Sequence, residues 1–134
     1  MAGNIFLDSN IWLYAFMDNG RKKEAALGIV AKKNCILSTQ VVNEVCVNLI
    51  SKADYEEEDI TRLVENFYSK YQIENINKHV ILKSSTIRSK LDISYWDSLI
   101  IASALESDCE VLYSEDMQHS QIIEEKLTII NPFK

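Results

Sequence analysis

Asn4-Ile5-Phe6-Leu7-Asp8-Ser9-Asn10-Ile11 decides how this chain is read. Ile5 to Leu7 form a short apolar run with the character of a buried strand, and the polar triplet Asp8-Ser9-Asn10 ends it. Ser9 or Asn10 can cap a helix that continues to about Phe16. A strand passing straight into a helix opens a βαβ unit, and the rest of the chain repeats that alternation. A helix is expected from near Asn19 to Lys33 and a strand over Cys35-Ile36-Leu37-Ser38. Thr39 would cap a helix over Val41 to Ile50. Glu56-Glu57-Glu58-Asp59 suits the first turn of a helix reaching Tyr71, because acids complement the partial positive charge there.

Further on, Gln72 to Ile76 is a weak strand candidate, Asn77 a cap for a helix to Leu91, and Ser94 the start of a strongly apolar helix to about Glu106. Val111-Leu112-Tyr113 and Thr128-Ile129-Ile130 read as strands. With only three Gly and one Pro, the connections are short. The expected fold is α/β, one domain over residues 1–134, with a mostly parallel central sheet flanked by helices on both faces. Such sheets bind ligands beyond the carboxyl ends of their strands, where strand order reverses.

Composition bounds the function. Hydrophobic residues make up 47% and charged residues 25%, ordinary for a folded globular chain. The longest apolar run, Ile11 to Met17, is seven residues, against about 20 for a membrane helix. No basic region precedes an apolar leader core, so a cytoplasmic protein is expected. Cys35, Cys46 and Cys109 are odd in number and form no C-x-x-C pair, consistent with reduced thiols rather than zinc ligands. A net charge of −6 runs against simple phosphate binding. Acids gathered around a bound cation would contribute to that sum while being neutralised in the loaded protein.

Four acids stand where such a cluster could form. Asp8 follows the first strand and Asp116 the Val111–Tyr113 strand; if the two strands are neighbours, their turns meet. Asp97, in Ser94-Tyr95-Trp96-Asp97, has capping-box spacing and also falls in a first helical turn. Glu44 lies among apolar neighbours in Val41-Val42-Asn43-Glu44-Val45, where an ionised carboxylate needs a partner. Each also has a structural reading as a cap, a turn or a solvent-facing residue. Oxygen-only ligands would suit Mg²⁺ or Mn²⁺.

Phe6-Leu7-Asp8-Ser9-Asn10-Ile11, Val42-Asn43-Glu44-Val45, Tyr95-Trp96-Asp97-Ser98-Leu99-Ile100 and Leu112-Tyr113-Ser114-Glu115-Asp116-Met117 together resemble the ordered motifs of PIN domains, most nearly the VapC-like bacterial toxins. Leu127 to Phe133 is similar to the end of that subgroup. The resemblance implies a Rossmann-like sheet and a Mg²⁺ or Mn²⁺ pocket. It also implies endoribonuclease activity leaving 5′-phosphate and 3′-hydroxyl ends, inhibition by a cognate antitoxin and a tendency to form homodimers. Asp8, Glu44, Asp97 and Asp116 match the family's four acids, as catalytic and metal-holding residues. Ser9, Asn10 and Ser114 would support them, Ser9 and Ser114 standing where the family often has Thr. The alternative is a catalytically silent PIN-like or receiver-like regulatory module. A receiver, however, needs paired acids after its first strand and a Lys after its last, and Ser9-Asn10 and Ile130-Asn131 supply neither.

Overall fold

The computed structural model describes residues 3–17 and 20–134. Strand β1 (Asn4–Leu7) and helix α1 (Ser9–Phe16) arise from the opening motif, with only Asp8 between them. That tight junction moves the cap. Asp8, not Ser9 or Asn10, caps α1, its Oδ1 accepting from the Ser9 amide at 2.8 Å. Helix α2 (Gly20–Val30) ends before Lys33; the Asn19 end of the expected helix lies outside the described residues.

Strand β2 (Cys35–Ser38) then runs directly into helix α3 (Thr39–Ala53). Ser38 keeps extended backbone while its Oγ accepts from the Val41 amide, so the cap is Ser38 and Thr39 is already helical. The acidic run opens helix α4 (Glu57–Lys70), where Asp59 Oδ2 accepts from the Glu56 amide at 2.9 Å. Strand β3 (Gln72–Glu74) is shorter than expected. Asn77 caps helix α5 (Lys78–Lys90), and Ser94 caps helix α6 (Tyr95–Glu106). Strand β4 (Cys109–Tyr113) starts two residues early. It is followed by strand β5 (Ile122–Ile123), absent from the sequence reading, and strand β6 (Leu127–Ile130).

These strands form one sheet in the order β3-β2-β1-β4-β6-β5. Every pairing is parallel except the β5–β6 hairpin. The chain steps outward from β1 through β2 to β3, then returns to the other side of β1 for β4. Strand order therefore reverses between β1 and β4, which is where the connections after the two strands diverge and leave room for a ligand. All four residues of β2 are buried, so both faces of the sheet are covered.

The core fixes the strand ends. Phe6, Leu7, Leu37 and Leu112 are fully buried, and α6 is buried continuously from Ser98 to Leu105. Trp12 lies edge-on to Phe67 and Tyr71, with ring centroids 5.1 and 4.8 Å away, and its indole Nε1 donates to the Leu7 carbonyl at 3.3 Å. Truncating a buried Trp costs about 3–5 kcal/mol, so α1 is held firmly against the end of β1, and the direction of Asp8 with it. Among the described residues, no helix is long and apolar enough to cross a membrane.

Candidate active site

The ladder between β1 and β4 extends one residue beyond β1, and the ladder between β4 and β6 extends one residue beyond β4. The Asp8 amide donates to the Tyr113 carbonyl at 3.0 Å, and the Ser114 amide to Ile130 at 3.0 Å. Asp8 and Ser114 are thereby set side by side, and Ser114 Oγ donates to Asp8 Oδ2 at 2.8 Å. With the Ser9 amide on Oδ1, both oxygens of Asp8 are engaged. The residue is only 5% exposed. Burial pushes its pKa up to about 6; the bonds from Ser114 and Ser9 pull it down, and repulsion from Asp97 and Asp116 adds to the rise.

Asn10 straps the second turn to the first. Its Nδ2 donates to Asp116 Oδ2 at 3.1 Å, while its Oδ1 accepts from the Glu115 amide at 3.2 Å. The Asp116 amide in turn donates to Ser114 Oγ at 3.3 Å. Glu115 faces away from the acids and anchors the turn outward: Tyr14 Oη and Lys22 Nζ each donate to its carboxylate at 2.6 Å. The Lys22 ammonium holds Glu115 below the usual carboxylate range against the opposing effect of burial. This Tyr14–Lys22–Glu115 clamp was not found from sequence. Nothing in local spacing joins Lys22 to a residue 93 positions away.

The other two acids come from helices. In the first turn of α6, the Asp97 amide donates to Ser94 Oγ at 3.1 Å, and the Asp97 side chain lines a cleft of about 420 Å³ together with Asp116. The helix cap and the site position therefore coincide. Burial first, and then repulsion from Asp116, raises the Asp97 pKa against the Ser94 bond. Glu44 projects from α3 into an adjoining cleft of about 450 Å³ lined also by Gln40, Asn43 and Trp96. Its Oε1 is buried without a hydrogen-bond partner. Burial, followed by repulsion from Asp8, lifts its pKa to about 7, while Gln40 and Ser9 moderate the rise.

All four sequence-selected acids thus lie on one rim and act on one another electrostatically. Ser9, Asn10 and Ser114 join Asp8 and Asp116 in a continuous hydrogen-bonded set, outside which stand Asp97 and Glu44. Among the described residues none of the four acids is ion-paired to Lys or Arg. Nor do three acidic, His or Cys side chains approach closely enough to hold a metal ion between them. The donor set is oxygen only and uncompensated in charge, with Glu44 Oε1 unpartnered. Mg²⁺ takes one or two carboxylates directly and keeps several waters, so such a set fits it and equally hard ions. His119 is committed elsewhere, its Nδ1 accepting from the Asn131 amide at 3.0 Å. Cys35 and Cys109 are buried thiols pushed up to about 11 and about 12 by desolvation, and Cys46 is half-buried.

In fold the chain is similar to a protein in a toxin-antitoxin complex from Klebsiella pneumoniae, at 19% identity and a TM-score of 0.73, over 96% of this chain and 98% of that one. FitAcB from Neisseria gonorrhoeae is similar at 16% identity and a TM-score of 0.70, covering 96% and 98%. So is VapC20 of Mycobacterium tuberculosis, described as a sarcin-ricin loop cleaving toxin, at 13% identity and a TM-score of 0.68, covering 81% and 87%. No curated protein sequence matches the chain. The sequence model of one family, described as PIN domain, matches residues 5–124. That match takes in β1 through β5 and all four acids, and on it the chain belongs to the PIN domain family.

Proposed function

We propose that this protein is a metal-dependent endoribonuclease, hydrolysing RNA phosphodiester bonds as the toxin of a toxin–antitoxin pair. One observation supports the reading: Asp8, Glu44, Asp97 and Asp116, far apart in sequence, lie near enough on the rim by the sheet's switch point to repel one another, with no basic partner among the described residues. Asp8, Asp97 and Asp116 would hold Mg²⁺ or Mn²⁺, with Glu44 completing the set directly or through water. When bound, such an ion lowers the pKa of a coordinated water and offsets charge building on a phosphate.

The chain's own residues supply orientation. Ser114 and the Ser9 amide fix both oxygens of Asp8, and Asn10 sets the angle of Asp116 through the turn it bridges. Glu44 Oε1, unpartnered and near neutrality in its titration, can hold a proton or a water at the edge of the site. The clefts lined by Asp97 and by Glu44 give a nucleic-acid strand a path on either side.

The partner and substrate classes follow those of the structural neighbours. One neighbour is described as cleaving the sarcin-ricin loop, and others are toxin-antitoxin complexes. An RNA substrate, an inhibitory antitoxin and homodimer formation are proposed for this chain on that likeness. The direct test is incubation of the purified protein with single-stranded RNA in Mg²⁺ or Mn²⁺, in EDTA, and as Asp97→Asn. Cleavage that requires the ion and drops by about 100-fold or more in the variant supports the assignment, in line with loss of a group that stabilises the transition state. Equal cleavage by Asp97→Asn removes it.

A further inference from the structure

Trp96 is the most conspicuous side chain that the proposed chemistry leaves unused. It directly precedes Asp97, yet the residue is 62% exposed, whereas the chain's other tryptophan, Trp12, is 1% exposed. The position is braced. Tyr95 lies edge-on to Trp96 with centroids 5.2 Å apart, and the Arg88 guanidinium sits 4.3 Å from the centre of the Tyr95 ring. Arg88 is itself tied to Ser84 and Ser98 at 3.0 and 2.8 Å. An exposed indole on a rigid mount, beside acids that would hold a catalytic ion, is a flat apolar surface awaiting a flat ligand.

The cleft below it carries a second feature. Gln40 is 9% exposed, and its Nε2 donates to the Trp96 carbonyl at 3.3 Å. A carbonyl can bond only to the amide's N–H, so that contact fixes which way the amide faces. Gln40 Oε1 is left as a buried acceptor without a partner, in the same cleft as Trp96, Glu44 and Ile76. A buried acceptor left unsatisfied costs about 1–3 kcal/mol, which a ligand N–H would recover.

We propose that Trp96 and Gln40 form a nucleobase subsite: an unpaired base next to the scissile phosphate stacks on the Trp96 indole, and its exocyclic amino group donates to Gln40 Oε1. This rests on the ribonuclease reading and deepens it by naming what the site recognises beside the phosphate. Stacking is tolerant of sequence because every base offers a π-face. The single acceptor is not: adenine, cytosine and guanine carry an exocyclic amino group on the Watson–Crick edge, whereas uracil offers there only an N3–H flanked by two carbonyl oxygens that a protein acceptor repels. The subsite therefore prefers adenosine, cytidine or guanosine over uridine.

Two arms test the proposal. In the first, metal-free protein is titrated with adenosine, cytidine, uridine and ribose 5-phosphate while tryptophan emission is followed. Adenosine and cytidine quench the exposed indole more strongly than uridine, and base-free ribose phosphate does not quench it. Trp96→Ala abolishes the response, leaving only the emission of buried Trp12. In the second, oligoribonucleotides differing at one base beside the cut are cleaved in Mg²⁺. Trp96→Ala lowers kcat/KM by about tenfold, and Gln40→Met, which keeps the side chain's length, brings the adenosine-to-uridine ratio toward one.

The arms separate the two claims. Quenching by nucleosides without any RNA cleavage leaves the base subsite standing and removes the ribonuclease reading. Metal-dependent cleavage with no nucleoside response, and a base preference unaltered in Gln40→Met, overturns the subsite and leaves the ribonuclease reading intact.

Discussion

Ser114 Oγ donates a 2.8 Å hydrogen bond to Asp8 Oδ2 across 106 residues of sequence, at the line where strand order reverses. The bond joins the ends of the two central strands and restrains the most buried acid of the site. Ser114 is fully buried, so its hydroxyl has no solvent alternative. Replacing it with Ala leaves an acceptor of a charged group unsatisfied, at a cost of about 1–3 kcal/mol. The hydroxyl serves the ionised carboxylate best, so the penalty in Ser114→Ala should be larger at pH 8 than at pH 5. Urea denaturation of both proteins at the two pH values measures the difference, and an equal penalty at both would show that the bond does not discriminate between charge states.

Metal-free protein should lose stability as pH rises. The Asp8 carboxyl titrates at about 6 in the folded chain against 3.8 unfolded, and Glu44 at about 7 against 4.5. Both folded values are raised, so the folded state binds protons more tightly than the unfolded state. The associated stability is complete below about pH 4 and is lost as pH climbs through about 6 to 7. For Asp8 alone, a shift of about two pH units corresponds to about 3 kcal/mol. The thermal midpoint in EDTA should accordingly be lower at pH 8 than at pH 5, and Asp8→Asn should flatten the slope. A midpoint that rose between these pH values would contradict the assigned environment of the acids.

The β5–β6 hairpin is closed by Glu124 and Glu125, both in the left-handed region at φ 53 and 57, with the Lys126 amide donating to the Ile123 carbonyl at 3.0 Å. That is the geometry of a type I′ turn, which favours Asn or Gly. Glu124 is held by Lys83 at 2.7 Å, linking the turn to α5. Glu125→Gly removes the steric penalty of one left-handed residue and should stabilise the protein by about 1 kcal/mol. Thermal or urea denaturation reads the sign directly, and a loss of stability would show that the Glu125 side chain makes a compensating contact.

The same turn explains what the sequence could not disclose. Where periodicity and cap chemistry agreed, as at Cys35–Ser38, Asn77 and Ser94, elements were legible almost to the residue. β5 was not, because two residues of strand are too short to show alternation and Glu-Glu carries no turn signature. Sequence offers Asp8 as a cap only beside Ser9 and Asn10, and it points to Thr39 where Ser38 is the cap. The strands here run into their helices without a spacer, so the last residue with extended backbone must serve. Among the candidate site residues, Asp8, Asp97 and Asp116 are legible as strand-end and helix-start acids, Glu44 as a carboxylate among apolar neighbours, and all four through the motif order. Gln40 and the Tyr14–Lys22–Glu115 clamp were not, since their partners, Trp96 and Glu115, are brought close only by the fold.

The rim of acids can serve the proposed chemistry only by binding a cation. Titration of the purified protein with Mn²⁺, following the free ion by electron paramagnetic resonance, reads this without recourse to any substrate. Saturable uptake by the wild-type chain, weakened about tenfold or more in Asp8→Asn and in Asp97→Asn while both variants stay folded, is the predicted result. Uptake of equal strength in all three proteins, or none in the wild type, would contradict it.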